Sequence, residues 1–322
     1  MTDPVDIVIL RHLFAPGRPF VSDAALAEEL GCSRTAIWKR IEGLERLGYG
    51  IEARPQLGYR LMETPDIVVG DEIRARLPRN PFAEGLVVFR ETRSTNDIVW
   101  REAENGAAHG FAALAEAQTL GRGRLGRRWV SATSLGLWVS LLLRVGEGVG
   151  GRTPQSLTML AAVAVVRALD RHLSRSVTIK WPNDVLLGGR KVCGILVEAR
   201  MDADGLQHGI LGIGLNVNHD EGDFPEELRV QATSMFLEDR RKRRRADVLV
   251  SIFDELERLT KAAGAEWMEE WRARCETIGA PIRVQTLSGV REGQMVGVTG
   301  EGHLLLRGES GVVETLATGS LL

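Results

Sequence analysis

Residues Gly121–Trp129 read Gly-Arg-Gly-Arg-Leu-Gly-Arg-Arg-Trp, and this stretch separates two fold classes. Its first six residues match G-x-G-x-x-G, the phosphate-binding pattern of dinucleotide domains. In those domains a helix follows the glycines, and its N-terminal amides bind the pyrophosphate. Here the residues after Trp129 predict a loop and then an apolar strand over Leu137–Leu143. This context excludes a dinucleotide-binding fold.

The same stretch carries arginines 122, 124, 127 and 128 among its glycines. Guanidinium groups bind phosphate and carboxylate oxygens bidentately, and glycines keep a loop flexible. The density of arginine between two apolar strands therefore favours an anion-binding loop. The alternative is a solvated basic loop.

On both sides of this loop, strand-like and helix-like segments alternate through residues 66–270, which predicts an α/β or α+β domain. The predicted strands are Leu86–Phe89, Leu137–Leu143, Val177–Lys180, Val192–Glu198 and Gly209–Val217, and the clearest helices are Thr153–His172 and Asp247–Lys261. From about Thr277 onward, short apolar segments separated by glycine turns predict a small SH3-like β-barrel. We expect domains over 1–64, 65–274 and 275–322.

The N-terminal module predicts three short helices and a hairpin, the order of a winged helix-turn-helix. Ser22 and Ser33 can cap the second and third helices. In the third helix, one apolar stripe comprises Ile37, Ile41, Leu44 and Leu47. The DNA-binding candidates lie on the outer face of that helix and beside the wing, and they are Ser33, Arg34, Thr35, Trp38, Lys39, Arg54 and Arg60.

Charge gives no general support for DNA binding. The chain has a formal net charge of −2, and residues 1–64 contain eight Lys/Arg against nine Asp/Glu, a net of 8 − 9 = −1. A nucleic-acid contact must therefore come from a local patch. The six basic residues Arg240–Arg245 form one such patch, but a solvated loop is the favoured interpretation over a second DNA or acidic-partner contact.

Other features limit the cell compartment and the redox chemistry. Cys32, Cys193 and Cys275 form no C-x-x-C pair, so three free thiols are expected rather than a disulfide framework or zinc site. The N-terminus is acidic, unlike a signal peptide, and the apolar stretch Leu157–Val166 is too short to span a bilayer. We expect a cytoplasmic protein with no membrane segment. Trp267, Met268 and Trp271 at helical spacing predict core packing.

Four further motifs each allow a functional and a structural interpretation. Lys180-Trp-Pro-Asn-Asp184 places a lysine at a strand end, where its ammonium can stabilise charge developing on a phosphorus or acyl carbon. Lys191–Glu198 and Gly212–Asn218 have glycines that would let a ligand lie against a strand. In Arg93–Asn96, hydroxyls could bind a polar head group or cap a helix. Taken singly, these motifs are more often surface turns, sheet packing and a helix cap.

Together, Ser94-Thr-Asn96, Gln118 with GRGRLGRRW, KWPND, KVCGILVE and GIGLNVN stand in the order and approximate spacing of the biotin–protein ligase family. This resemblance covers most of residues 86–218. With the N-terminal module and the C-terminal barrel, the chain resembles the bifunctional form, ligase and biotin operon repressor. The fold that the resemblance implies is a multidomain α+β protein with a winged helix-turn-helix, a central synthetase-like mixed sheet and an SH3-like barrel.

The resemblance implies ATP-dependent activation of biotin to biotinyl-5'-AMP and transfer to a lysine of a biotin carboxyl carrier domain. It also implies Mg²⁺, operator DNA, corepression by biotinyl-AMP and a ligand-promoted homodimer. The implied biotin contacts are Ser94, Thr95, Asn96, Gln118, Gly121, Arg122, Lys180 and Gly194. The implied adenylate contacts are Arg122, Arg124, Arg127, Trp129, Asn183 and Asn216. Catalysis would rest on Lys180, Arg122 and Arg124, with Asp184 a candidate metal ligand.

The chain departs from the bifunctional pattern at its end, Thr318–Leu322, which lacks the arginine that the pattern has near the C-terminus. Two alternatives to a ligase and repressor stay open. One is a ligase whose helix-turn-helix does not bind DNA, and the other is a lipoate-type ligase of the same fold.

Overall fold

The structure is a computed structural model, and it describes residues 3–17, 19–144, 146, 152–202, 205–262 and 264–322. Its helices are α1 Pro4–Leu13, α2 Asp23–Glu29, α3 Arg34–Arg46, α4 Gly70–Arg76, α5 Pro81–Glu84, α6 Thr95–Glu104, α7 Pro154–Asp170, α8 Met235–Asp239, α9 Arg245–Lys261 and α10 Gly264–Arg274. Its strands are β1 Gly50–Arg54, β2 Gly58–Glu63, β3 Leu86–Thr92, β4 Ala112–Gln118, β5 Gly136–Arg144, β6 Val177–Lys180, β7 Asp184–Leu187, β8 Arg190–Asp202, β9 Gly205–Asn216, β10 Pro281–Thr286, β11 Gly289–Val298, β12 Leu304–Arg307, β13 Val313–Leu316 and β14 Ser320–Leu321.

The N-terminal module is the predicted winged helix-turn-helix. The Ser22 and Ser33 side chains accept hydrogen bonds from the third amide that follows each of them, and so fix the starts of α2 and α3. Strands β1 and β2 form the antiparallel wing. Three members of the predicted apolar stripe of α3 are buried. The fourth, Leu47, is 48% exposed because the helix ends at Arg46.

The central domain is built on a seven-stranded mixed sheet in the order β3-β4-β5-β9-β8-β7-β6. Only β3 and β4 pair in parallel. Helix α7 starts at a capping box formed by Thr153 and Ser156 and is buried on nearly every side. A helix that is apolar all round belongs in a core, and α7 packs between the sheet and α9.

The C-terminal strands form an antiparallel sheet in the order β13-β12-β11-β10-β14, as expected for the SH3-like barrel. Its buried side chains, among them Val284, Met295 and Leu304, join the hydrophobic core of the central domain. The Trp181 indole donates to the Gly302 carbonyl at 3.3 Å across this junction. The barrel is thus held directly against the Lys180–Asp184 turn.

The prediction of a solvated loop at Arg240–Arg245 is wrong for the second half of the run. Arg240, Arg241 and Lys242 are exposed, whereas Arg245 is 1% exposed and pairs with Asp66 and Glu116. Burial of a guanidinium requires acceptors on its donors. These acceptors come from segments 179 and 129 residues away along the chain.

Arg244 belongs to a second buried cluster, which joins the N-terminal module to the central domain. Glu72 of α4 is fully buried and bonds the Tyr49 hydroxyl at 2.6 Å, Arg76 at 2.9 Å and Arg244 at 2.9 Å. Burial beside Glu72 raises the pKa of Tyr49, which keeps this phenol protonated as the donor. The contact couples the end of α3 to the start of α9.

Two smaller predictions, on the cysteines and on the residues around Trp267 and Trp271, are also confirmed. All three cysteines are free, with Cys193 and Cys275 buried. Trp267 and Trp271 are core residues, and Met268 packs against the same core. No helix within the described ranges is long and apolar enough to cross a membrane.

Candidate functional site

One cavity of about 860 Å³ opens on the central sheet and brings together nearly all of the motifs. Its wall includes the predicted residues Ser94, Thr95, Asn96, Gln118, Arg122, Arg124, Arg127, Trp129, Lys180, Asn183, Asp184, Gly194 and Asn216. Gly121 is not in this wall. A Cβ there would lie 2.5 Å from the Trp129 carbonyl oxygen, so the glycine lets the two ends of the arginine loop approach.

Glycines in β8 and β9 make room for side chains over the sheet. A Cβ on Gly194 or Gly214 would lie 2.7 or 2.6 Å from the Trp129 ring. The ring therefore lies against the backbone where we expected a ligand to lie. Lys191 is above the ring, 5.1 Å from its centroid, and the buried indole nitrogen of Trp129 has no hydrogen-bond acceptor.

A chain of buried polar side chains crosses the cavity wall. Thr95 donates its amide to Gln118 at 2.8 Å, and the Thr95 hydroxyl is 2.6 Å from Ser140. Ser140 donates to Asn96 at 2.5 Å, and Asn96 donates to Glu198 at 2.6 Å. Of the two interpretations of these hydroxyls, helix capping is not supported for Ser94, which lies at the cap position of α6 and makes no side-chain capping bond. Neutral hydrogen-bonding groups at this depth suit a polar, uncharged head group.

The four loop arginines are not equivalent. Arg122 pairs with Asp97 at 2.5 Å and with Glu198 at 3.3 Å. Arg124 has no ion-pair or hydrogen-bond partner among the described residues, and burial lowers the pKa of its guanidinium. Arg127 and Arg128 are exposed. A half-buried guanidinium without a partner is a place where an anion gains binding energy.

Lys180 ends β6 and faces the same cavity, again with no partner in the chain segments described. Its neighbours are engaged in structure. The Asn183 and Asn216 amides donate to the carbonyls of Ile195 and Thr233, and Asp184 lies 2.6 Å from the Lys191 ammonium. Across the described ranges, no group of three or more His, Cys, Asp or Glu side chains could hold a metal ion.

Sequence reasoning missed several residues of this site. Ser140 is the one polar residue between Leu137 and Leu143, which was a usable signal in a buried strand. Glu198 and Asp97 gave no signal, because their partners come from other segments. His219 forms another wall beside Trp138 and Phe224, and burial lowers its pKa to about 4, so the ring is neutral.

The DNA-binding candidates of the N-terminal module are exposed, except for Arg60, which is partly buried. Thr35, Trp38 and Lys39 are exposed on α3, and Lys39 has no partner in the described part of the chain. Arg34 is held by both oxygens of Asp23, and Ser33 caps the helix.

The two wing arginines are also engaged within the protein. Arg54 and Arg60 share Glu52 as their ion-pair partner. Both guanidiniums also lie over the Phe20 ring. Of the candidate cations, all of which lie in the described part of the module, Lys39 is the one without an ion-pair partner there.

Comparison with known proteins gives two family matches, the biotin/lipoate A/B protein ligase family over residues 88–216 and an HTH domain over residues 7–60. The bifunctional ligase/repressor BirA of Bacillus subtilis is 38% identical over 300 residues, which cover 92% of each chain. The chain belongs to this bifunctional ligase/repressor family. A biotin–[acetyl-CoA-carboxylase] ligase of Mycobacterium tuberculosis is 32% identical over 63% of this chain and 76% of that protein.

Among solved structures, the biotin protein ligase from Aquifex aeolicus in complex with biotin and ATP matches with a TM-score of 0.63 and 29% identity. The match covers 74% of this chain and 98% of that one. The likeness shows that the two proteins share a fold over that length.

Proposed function

We propose that this protein activates biotin with ATP to biotinyl-5'-AMP and transfers the biotinyl group to a lysine of a biotin carboxyl carrier domain. The observation that carries the proposal is one cavity lined by neutral hydrogen-bonding side chains and by two cations, Arg124 and Lys180, that have no hydrogen-bond or ion-pair partner among the described residues. The chain suits an uncharged ring, and the cations suit a carboxylate and phosphates.

In the first step, a carboxylate oxygen attacks the α-phosphorus of ATP, and the bond to pyrophosphate breaks. Both reactants are anionic, so fixed cations stabilise the transition state. In the second step, the acceptor amine attacks the acyl carbon, loses a proton and releases AMP. Water would attack the same carbon, so the arginine loop must exclude it. The bridge between Arg122 and Arg128 makes this loop a narrow hairpin that lines the cavity.

Mg²⁺ is part of the proposal. Protein sites for Mg²⁺ with nucleotides use one or two carboxylates together with the phosphates. Asp184 lines the cavity and is the candidate carboxylate, with Lys191 as its present partner. When bound, the ion would reduce the repulsion between the two anionic substrates.

The direct test is incubation with ATP, a carrier domain and labelled biotin or labelled lipoate. We expect label on the carrier from biotin only. Transfer of lipoate would favour the lipoate-type alternative, and no transfer from either acid would contradict ligase activity.

We further propose that biotinyl-AMP is the corepressor, that it promotes a two-fold dimer, and that the dimer presents two α3 helices to operator half-sites. Linkage requires DNA to raise biotinyl-AMP affinity by the factor that biotinyl-AMP adds to DNA affinity. Ultracentrifugation and DNA titration, each with and without biotinyl-AMP, test this switch. An unchanged monomer–dimer equilibrium and ligand-independent DNA affinity would contradict it.

A ligase that does not bind DNA is the second candidate, and the pairing of Arg34, Arg54 and Arg60 within the module favours it. A gel shift on the region upstream of biotin-synthesis genes separates the two. We also propose that the domains span 1–64, 65–274 and 275–322 and that the protein is cytoplasmic. The site residues are proposed to have the roles that the family resemblance implies.

A further inference from the structure

The hydrogen-bond chain behind the cavity has a direction that can be worked out from its distances. Its members are Gln118, Thr95, Ser140, Asn96 and Glu198. Glu198 is at the far end, and it is the one member that does not line the cavity.

Glu198 decides the orientation of the Asn96 amide. An ionised carboxylate accepts hydrogen bonds and donates none. The Asn96 atom at 2.6 Å from Glu198 must therefore be the amide nitrogen, which leaves the Asn96 oxygen facing Ser140 at 2.5 Å. The other partner of Glu198 is the Arg122 guanidinium, which can also only donate to it. Glu198 is thus an acceptor in both contacts.

The orientation of Asn96 then decides which of the two hydroxyl groups donates to the other, because each hydroxyl has one hydrogen. Ser140 gives its hydrogen to the Asn96 oxygen, so the 2.6 Å contact with Thr95 requires the hydrogen of Thr95. No hydrogen remains for the 3.1 Å contact between the Thr95 hydroxyl oxygen and the Gln118 amide oxygen. The Gln118 nitrogen is already directed at Ser131.

Two acceptor oxygens therefore lie side by side at the cavity wall. One belongs to the Thr95 hydroxyl, and the other belongs to Gln118, which accepts the Thr95 backbone amide at 2.8 Å and keeps its second lone pair. We propose that Glu198 is a positioning residue that fixes this arrangement through Asn96 and Ser140, and that the site thereby selects a head group with N–H donors. The proposal rests on the function proposed above. A cyclic urea has such donors, whereas a dithiolane or a cyclic carbonate has none.

The test measures dissociation constants by calorimetry for biotin and for the analogue whose two ureido N–H groups are replaced by ether oxygens. Wild type should favour biotin by about 10-fold or more, because the ether analogue would leave the Thr95 hydroxyl oxygen as an unpaired buried acceptor, which costs about 1–3 kcal/mol. Glu198→Gln lets the amide of Asn96 turn over and the chain reverse. We expect the preference to fall by about 10-fold or more.

Two further variants separate this role from a general one. Asp97→Asn removes the other acid on Arg122 without touching Asn96, and the preference should stay within about 2-fold of wild type. Ser140→Ala interrupts the chain and should lower the preference as Glu198→Gln does. An unchanged preference in both Glu198→Gln and Ser140→Ala, or an equal fall in Asp97→Asn, would overturn the proposal. A wild-type protein that binds lipoate and not biotin would overturn the proposed function itself.

Discussion

Two arginine-rich stretches of this chain have opposite surroundings. In residues 121–129, Arg124 lines the cavity near Asp184 but has no hydrogen-bond or ion-pair partner among the described residues. In residues 240–245, Arg244 and Arg245 are enclosed by carboxylates and hold distant segments together. A cation whose donors are satisfied stabilises the fold, and a half-buried cation without acceptors is prepared to bind an anion.

The largest expected effect concerns the paired stretch. Arg245→Met should lower the free energy of unfolding by about 3–5 kcal/mol, because it leaves Asp66 and Glu116 without their buried partner. Chemical denaturation measures this. Arg241→Ala is the control, since this side chain is exposed, and should change stability by no more than about 0.5 kcal/mol. Equal stabilities of the two variants would show that burial in this stretch does not matter.

The next effect concerns Lys180. Lys180→Ala should reduce biotin-dependent ATP–pyrophosphate exchange by about 100-fold or more, because a fixed charge is lost from the transition state. Lys242→Ala, in the other stretch, is the matched control and should exchange at the normal rate. Near-normal exchange in folded Lys180→Ala protein would remove this lysine from the chemistry.

Arg124→Gly should release biotinyl-AMP about 10–100 times faster, because a charge-assisted hydrogen bond of about 1.5–3 kcal/mol is lost. The released adenylate should label lysines of bystander proteins, which streptavidin blotting detects. Arg241→Gly should label the carrier domain alone. If Arg124→Gly is equally selective at a normal rate, the loop does not retain the adenylate.

The smallest effect is expected on DNA. Lys39→Ala should weaken binding to all sequences and reduce the salt slope by about 1, as loss of one phosphate contact does. Arg34→Ala should change affinity less, because DNA must first displace Asp23. Anisotropy titrations at several salt concentrations measure both, with ligase activity as the control for folding. Identical binding by Lys39→Ala and wild type would place the DNA contact elsewhere.

The sequence predicted those parts of the fold where local pattern and tertiary role agree. The caps of α2 and α3, strand β6 and the glycine-separated strands of the barrel were of this kind. Strand β4, Ala112–Gln118, was not predicted, because its alanines favour a helix and only its two neighbouring strands make it extended.

For the site, motifs predicted which segments meet, because each carries glycines or charges that a core would not need. The partners of individual charges could not be predicted. Glu198 and Asp97 are far from Arg122 in the chain, and the acceptors of Arg245 are further still. Pairing depends on the tertiary fold, so a count of charges did not distinguish the loop that lines the cavity from the run that ends on the buried Arg245.

Amide hydrogen exchange on the wild-type protein, with and without biotinyl-AMP, tests the difference between the two arginine-rich stretches most directly. Binding of an anion should order the loop that contains Arg124 and should leave the run that contains the paired Arg244 and Arg245 as it was. We predict that exchange slows in residues 121–129 on addition of biotinyl-AMP and is unchanged in residues 240–245. Unchanged exchange in residues 121–129 at saturating ligand, or equal slowing in both stretches, would contradict the account.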